Sequence, residues 1–210
     1  GDTAEGRILR AARQHLFTFG YSSFTMDDLA HELGMSKKTL YVHFPSKEAI
    51  VRKIIDCMVT VLRARLERIT TDPRLSFVPK LAATIETIGS MLAPATPPML
   101  RDLERFAPEI YRKIEEIRAE NIPLFFGRLI RDGIASGKVR PEIDADFATQ
   151  FWLHAIRDLV QPAALERTHL TPKQTLEKAT DLFFGGLLTS AGRIDYEKST
   201  TNKDQRGASK

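Results

Sequence analysis

Apolar residues recur along this chain at spacings of three and four, the mark of helices that bury one face. Ile8, Leu9, Ala12, Leu16 and Phe19 predict a first helix from about Thr3 to Thr18, with Arg7, Arg10 and Arg13 over much of its remaining surface and Gly20 as its stop. Thr25 precedes Met26, Leu29, Ala30 and Leu33, and Asp28 stands three residues beyond it, at capping-box spacing. Gly34 ends this second helix after two turns. Ser36 caps a third short helix that Pro45 stops, and Ser46 caps a fourth. Two short helices joined across Gly34-Met35-Ser36 form a helix-turn-helix, with Met35, Leu40 and Phe44 holding the third helix against the first two.

The remaining pattern is helical as well. Ile50, Ile54, Met58, Val61, Leu62 and Leu66 line a long helix from Lys47 to Ile69, ended by Thr71-Asp72-Pro73. Further helices are predicted over Phe77–Leu92, Met99–Phe106, and from Pro108 onward, with Pro123 bending the last of these. Asp144–Leu165 and Pro172–Ala191 complete the set, and the polar stretch from Lys198 reads as a loose tail. The fold class is therefore all-α, of about nine helices.

Composition narrows the function. The chain has 210 residues, 42% of them hydrophobic and 28% charged, which describes a soluble globular protein. No apolar run is long enough for a membrane span, and the start lacks the regions of a secretory signal, so the expected location is cytoplasmic. Cys57 is the single cysteine; it excludes a disulfide framework and is expected as a small buried hydrophobe. No phosphate loop, HExxH motif or GxSxG elbow occurs, and the five histidines are scattered. Glu115, Glu116 and Glu120 read as a solvated helix face. An enzyme is not expected, nor a metal or cofactor; the alternative to a DNA-binding protein is a helical scaffold. The net charge of +4 permits nucleic-acid binding without demanding it.

A sharper signal lies in Phe19-Gly20-Tyr21, Thr25-Met26-Asp27-Asp28-Leu29-Ala30 and the run from Leu33-Gly34-Met35-Ser36 through Lys37-Lys38-Thr39-Leu40-Tyr41-Val42-His43-Phe44-Pro45-Ser46-Lys47-Glu48-Ala49-Ile50. This stretch resembles the tetracycline-repressor-like (TetR) family. The resemblance implies an N-terminal three-helix helix-turn-helix head over residues 1–47, a C-terminal regulatory and dimerisation bundle over 48–197, and a disordered tail over 198–210. It implies phosphate contacts from Thr25, Tyr41, His43 and Lys47, and base contacts from Lys37, Lys38 and Thr39. The chemistry agrees, since Lys donates to guanine acceptors and the Thr methyl meets the thymine methyl.

The implied partners are a palindromic double-stranded DNA operator, a second copy of the chain, and a small apolar or amphipathic effector that releases the DNA. The expected activity is repression. Candidate effector-pocket residues are Ile88, Leu92, Met99, Leu103, Phe106, Asn121, Phe125, Phe126, Trp152 and His154, although core packing is the plainer role of each. The resemblance also implies a dimer interface on the last two helices, at Phe147, Phe151, Leu159, Leu176, Ala179, Phe183 and Leu187; their apolar periodicity alone fits a continuous monomer core as well.

Overall fold

The computed structural model describes residues 3–185. Among them are eleven α-helices and no strand: α1 (Ala4–Phe19), α2 (Met26–Glu32), α3 (Lys37–His43), α4 (Lys47–Thr71), α5 (Phe77–Leu92), α6 (Pro97–Phe106), α7 (Pro108–Asn121), α8 (Gly127–Ala135), α9 (Ala145–Leu159), α10 (Pro162–Thr168) and α11 (Pro172–Gly185). Residues up to Glu177 form one compact unit, and Lys178 onward belongs to a second. The expected helix end at Ala191, Leu187 as a dimer residue and the tail over 198–210 lie outside the described residues.

Side chains start most of these helices. Thr3, Ser36, Ser46, Thr96 and Asp144 each accept a hydrogen bond from a backbone N–H in the following turn. Such a cap is worth about 1 kcal/mol. Pro123 does more than bend its helix. Having no N–H, it cannot continue the α-helical ladder, and Ile122–Phe126 relax into a π turn between α7 and α8. The expected helix Asp144–Leu165 is two helices, because Pro162 opens α10 after a break at Val160-Gln161. That break, and the one at the π turn, take the count above nine.

The 25-residue α4 is the axis of the molecule, packing along α1, α5 and α7. Its N-terminal half puts Ile50, Val51 and Ile54 into a core shared with Ile8, Leu16, Phe24, Leu29 and Leu40. The same core continues into Met99, Leu100, Leu103, Ile110 and Leu165, so packing does not break at residue 47. The C-terminal half of α4 packs Leu62 and Leu66 on Phe125. Ion pairs tie the layers at the surface: Asp56 with Lys113, Arg63 with Glu120, and Lys80 with Asp132.

Three sequence expectations are corrected. Phe19 does not join the buried face of α1; it lies on the last turn and is exposed. Cys57 is exposed, three residues beyond buried Ile54 on α4. Glu115 is not solvated. Its side chain is largely covered, paired with Arg118 and 3.6 Å from Arg157.

Candidate nucleic-acid interface

The head is assembled from local hydrogen bonds. Thr25 and Asp28 form a complete capping box: the Asp28 N–H donates to the Thr25 hydroxyl at 3.2 Å, and the Thr25 N–H donates to the Asp28 carboxylate at 2.8 Å. The Thr25 hydroxyl also donates to that carboxylate, at 2.7 Å. These bonds hold the Asp28 carboxyl below its ordinary range. Gly34 sits at φ +61° in the turn, a left-handed conformation that glycine adopts without strain, and lets the Met35 N–H donate back to the Ala30 carbonyl at 3.0 Å. Ser36 then caps α3 through the Thr39 N–H.

Leu40 and Phe44 anchor α3, both buried among α1, α2 and α4. At 100° per residue, Lys38 and Val42 stand opposite Leu40, and Tyr41 and Thr39 flank them. Val42 is 77% exposed and Tyr41 49%. Lys38, Thr39 and His43 are exposed as well. This face is convex, rigidly based and mixed in chemistry: an ammonium, a phenol, a hydroxyl and a branched apolar group. It suits the major groove, where Lys donates to guanine and an aliphatic group meets the thymine methyl. Val42 was not among the expected contacts; its position opposite Leu40 was the available signal.

Two expected contacts are engaged within the protein. Lys37 is ion-paired with Asp27 of α2, which holds its ammonium above the ordinary lysine value. Lys47 does not extend into solvent. Its ammonium donates to the Tyr21 carbonyl at 3.0 Å and to the Phe24 carbonyl at 2.9 Å, and stands 4.2 Å from the centre of the Tyr21 ring. Burial pushes its pKa down, against the pull of nearby Glu48 and Asp102. Two of its three N–H donors are thus committed to closing the loop between α1 and α2. The positive N-terminal end of α4, capped by Ser46, remains beside α3 as a complement to a phosphate.

The loop is also fastened from both sides. The Tyr21 hydroxyl donates to Glu48 at 2.6 Å. Burial, then that hydrogen bond, push the phenol pKa up, while the same bond holds the Glu48 carboxyl down. From the body, Asp102 of α6 accepts from the Ser22 N–H and hydroxyl at 2.6 and 2.7 Å.

The expected pocket residues are only partly brought together. Leu92, Met99 and Leu103 line a largely apolar cavity of about 130 Å³ with Leu16, Phe17, Ile55, Met58 and Met91, and Arg118 also borders it. Ile88 and Phe125 instead pack on Leu62 and Leu66. Phe126 stacks on Trp152, centroids 4.8 Å apart, and both are buried. The Asn121 side-chain carbonyl accepts from Arg63 at 2.7 Å. Phe106 and His154 are exposed, on α6 and α9, and neither lines the cavity that Leu92, Met99 and Leu103 line.

Of the expected dimer residues, Phe147, Phe151 and Leu159 form an exposed stripe along α9. Leu176 is buried, on the face of α11 that carries Thr175 and Pro172. In the second unit Ala179 is half-buried, and Phe183 meets Phe184 edge to face, 5.1 Å apart.

Residues 8–54 match the family "Bacterial regulatory proteins, tetR family". The HTH-type transcriptional regulator YvaF of Bacillus subtilis is 21% identical over 165 residues, 79% of this chain and 86% of that protein. EthR of Mycolicibacterium smegmatis is 41% identical over 59 residues, 28% of this chain and 27% of that protein. Among solved structures, the transcriptional regulator FadR of Bacillus subtilis in complex with stearoyl-CoA shares the fold with a TM-score of 0.61, at 21% identity, covering 87% of this chain and 98% of that one.

Proposed function

We propose that this chain, a member of the TetR family of helix-turn-helix transcription regulators, represses transcription as a dimer on a palindromic operator and is released by a small effector. The observation that carries DNA reading is the α3 face. Lys38, Thr39, Tyr41 and Val42 project from a helix pinned by Leu40 and Phe44. Two such heads must span successive major grooves, about 34–36 Å apart or an adjusted multiple. The exposed Phe147, Phe151 and Leu159 stripe supplies apolar surface for pairing. The place of action is the cytoplasm, with the DNA.

Effector control rests on α4. One helix carries both the head core, through Ile50 and Ile54, and the cavity wall, through Ile55 and Met58. Its length, roughly 37 Å at 1.5 Å per residue, turns a small tilt at the cavity into a larger head displacement. An effector releases DNA only if it prefers the head spacing that does not fit the operator.

The test is titration of duplexes from the DNA adjoining the chain's own gene, across salt concentrations. Specific binding about a thousandfold tighter than to a scrambled duplex supports the reading. Equal affinity for both at every salt concentration overturns it.

A further inference from the structure

The feature of the described residues that regulation by DNA binding leaves unused lies where α1, α4 and α5 meet at the surface. A groove of about 410 Å³ runs there. Its floor is apolar, with Leu9, Ile54, Val61 and Leu62, and Cys57 lies in its wall. Arg10, Arg13 and Arg65 also line it, and no carboxylate does. In a chain with 31 basic and 27 acidic residues, three arginines around one apolar floor are a local excess. Arg13 is steadied over the Phe17 ring, 5.7 Å from its centre, and Arg65 is exposed.

The apolar cavity adjoins this groove. Met58 and Met91 line both spaces and form the partition between them. Methionine is unbranched and repacks readily, so this wall is the softest in the region. The cavity, at about 130 Å³, falls below the roughly 300–1,000 Å³ of ordinary small-molecule sites, whereas the groove at about 410 Å³ already falls within it.

We propose that groove and cavity are the two ends of one site for an anionic amphiphile. Its carboxylate or phosphate head sits between Arg13 and Arg65, and its apolar chain passes between Met58 and Met91 toward Leu92 and Leu103. A charge left outside avoids the cost of burial, and guanidinium is the group best suited to hold it. This names the effector class of the regulatory reading and rests on that reading only for its consequence on DNA. Occupancy also reaches the head directly, since Leu9 and Arg13 belong to α1.

Cys57 provides the readout, being the sole cysteine and lying in the groove. Its alkylation by N-ethylmaleimide is followed in the full chain with sodium dodecanoate below its micelle concentration, dodecan-1-ol, sodium hexanoate, and anionic phosphatidylglycerol vesicles. Dodecanoate slows alkylation, and it binds at least about tenfold more tightly than dodecanol, the effect of one charge-assisted contact. Arg13→Gln with Arg65→Gln removes that difference. Ile117→Phe, which narrows the cavity from α7, brings dodecanoate affinity toward that of hexanoate; circular dichroism confirms the fold, and Val59→Phe is the second variant if it fails.

Lack of protection overturns the site, as does equal affinity for dodecanoate and dodecanol or protection by vesicles alone. An unchanged dodecanoate-to-hexanoate ratio in the folded narrowed variant overturns the route through the methionines. Operator titration is separate: protection of Cys57 with unchanged operator affinity upholds the site and overturns release.

Discussion

Asp102 on α6 holds Ser22 by two hydrogen bonds across a separation of 80 residues, one to the backbone N–H and one to the hydroxyl. Ser22 lies in the loop that Lys47 and Glu48 fasten from the other side, so α6 and α4 grip the same few residues of the head. Gly20 makes the approach possible. A Cβ there would stand 2.9 Å from the Asp102 carboxylate, and its φ of +95° is one that other residues rarely adopt.

Removal of this grip should loosen the head without unfolding it. Asp102→Ala leaves the Ser22 N–H to water, at a cost of about 1 kcal/mol in thermal stability. Operator affinity should fall with it, measured by fluorescence anisotropy. Gly20→Ala should cost more, because strain and overlap act together. A thermal melt of both variants that ranks Asp102→Ala as the more damaging would show that the backbone at Gly20 tolerates a Cβ.

Lys47 is expected to act through stability. Lys47→Met retains the stem but strands two carbonyl groups beneath the loop, costing about 1–3 kcal/mol. Chemical denaturation measures this loss. The salt slope of DNA binding at fixed folded fraction should change by less than the roughly one unit expected for a lost phosphate contact.

Lys38→Ala and Val42→Ala should separate two kinds of reading. Loss of a lysine contact to guanine costs about 1–3 kcal/mol at one operator position and relaxes selectivity there. Loss of Val42 should weaken discrimination of thymine while the salt slope stays constant. Binding measured on a set of singly substituted duplexes decides both. Uniform weakening across the set by Lys38→Ala would reassign that residue to the phosphate backbone.

Acid should unfold the head through its bonded carboxylates. The Tyr21 hydroxyl holds Glu48 below its ordinary value, and Thr25 does the same for Asp28. A carboxyl whose folded pKa is depressed stabilises above its unfolded pKa of about 4 and loses that contribution as pH falls through the folded value. Melting temperature should therefore hold steady near pH 6 and fall below about pH 4. Glu48→Gln should flatten that decline, as followed by circular dichroism.

Pairing along α9 is tested by Phe147→Glu. Phe147 is 71% exposed, so the substitution costs the isolated chain little. Buried at an interface, an unpaired carboxylate is expensive, and sedimentation should show monomer with unchanged helicity. A dimer that persists moves the interface elsewhere.

Much of the head was legible in residue order. Thr25 with Asp28, Ser36 with Thr39, Gly34 in the turn and Pro45 after Phe44 act over three or four positions, within reach of a single helical turn. The same locality made Leu40 a buried anchor and Lys38 an outward residue. Pro162 starts α10, a break that the expected single helix from Asp144 to Leu165 misses.

The sequence alone determined what depends on neighbours along the chain: the helices, their caps and the helix-turn-helix. Only tertiary structure decided what each side chain meets. Lys47 reads as a phosphate ligand until the α1–α2 loop folds over it and two carbonyls compete for its donors. Phe125, Phe126 and Trp152 read as ligand contacts by size and type, yet Phe125 packs on Leu62 and Leu66 and Phe126 stacks on Trp152, while Met58 and Met91 border the cavity. Helical periodicity reports which face of a helix is covered, because burial repeats with the turn. It carries no distance to residues 50 or 80 positions away, and those distances settle whether a buried face meets solid packing, a cavity or another element's carboxylate.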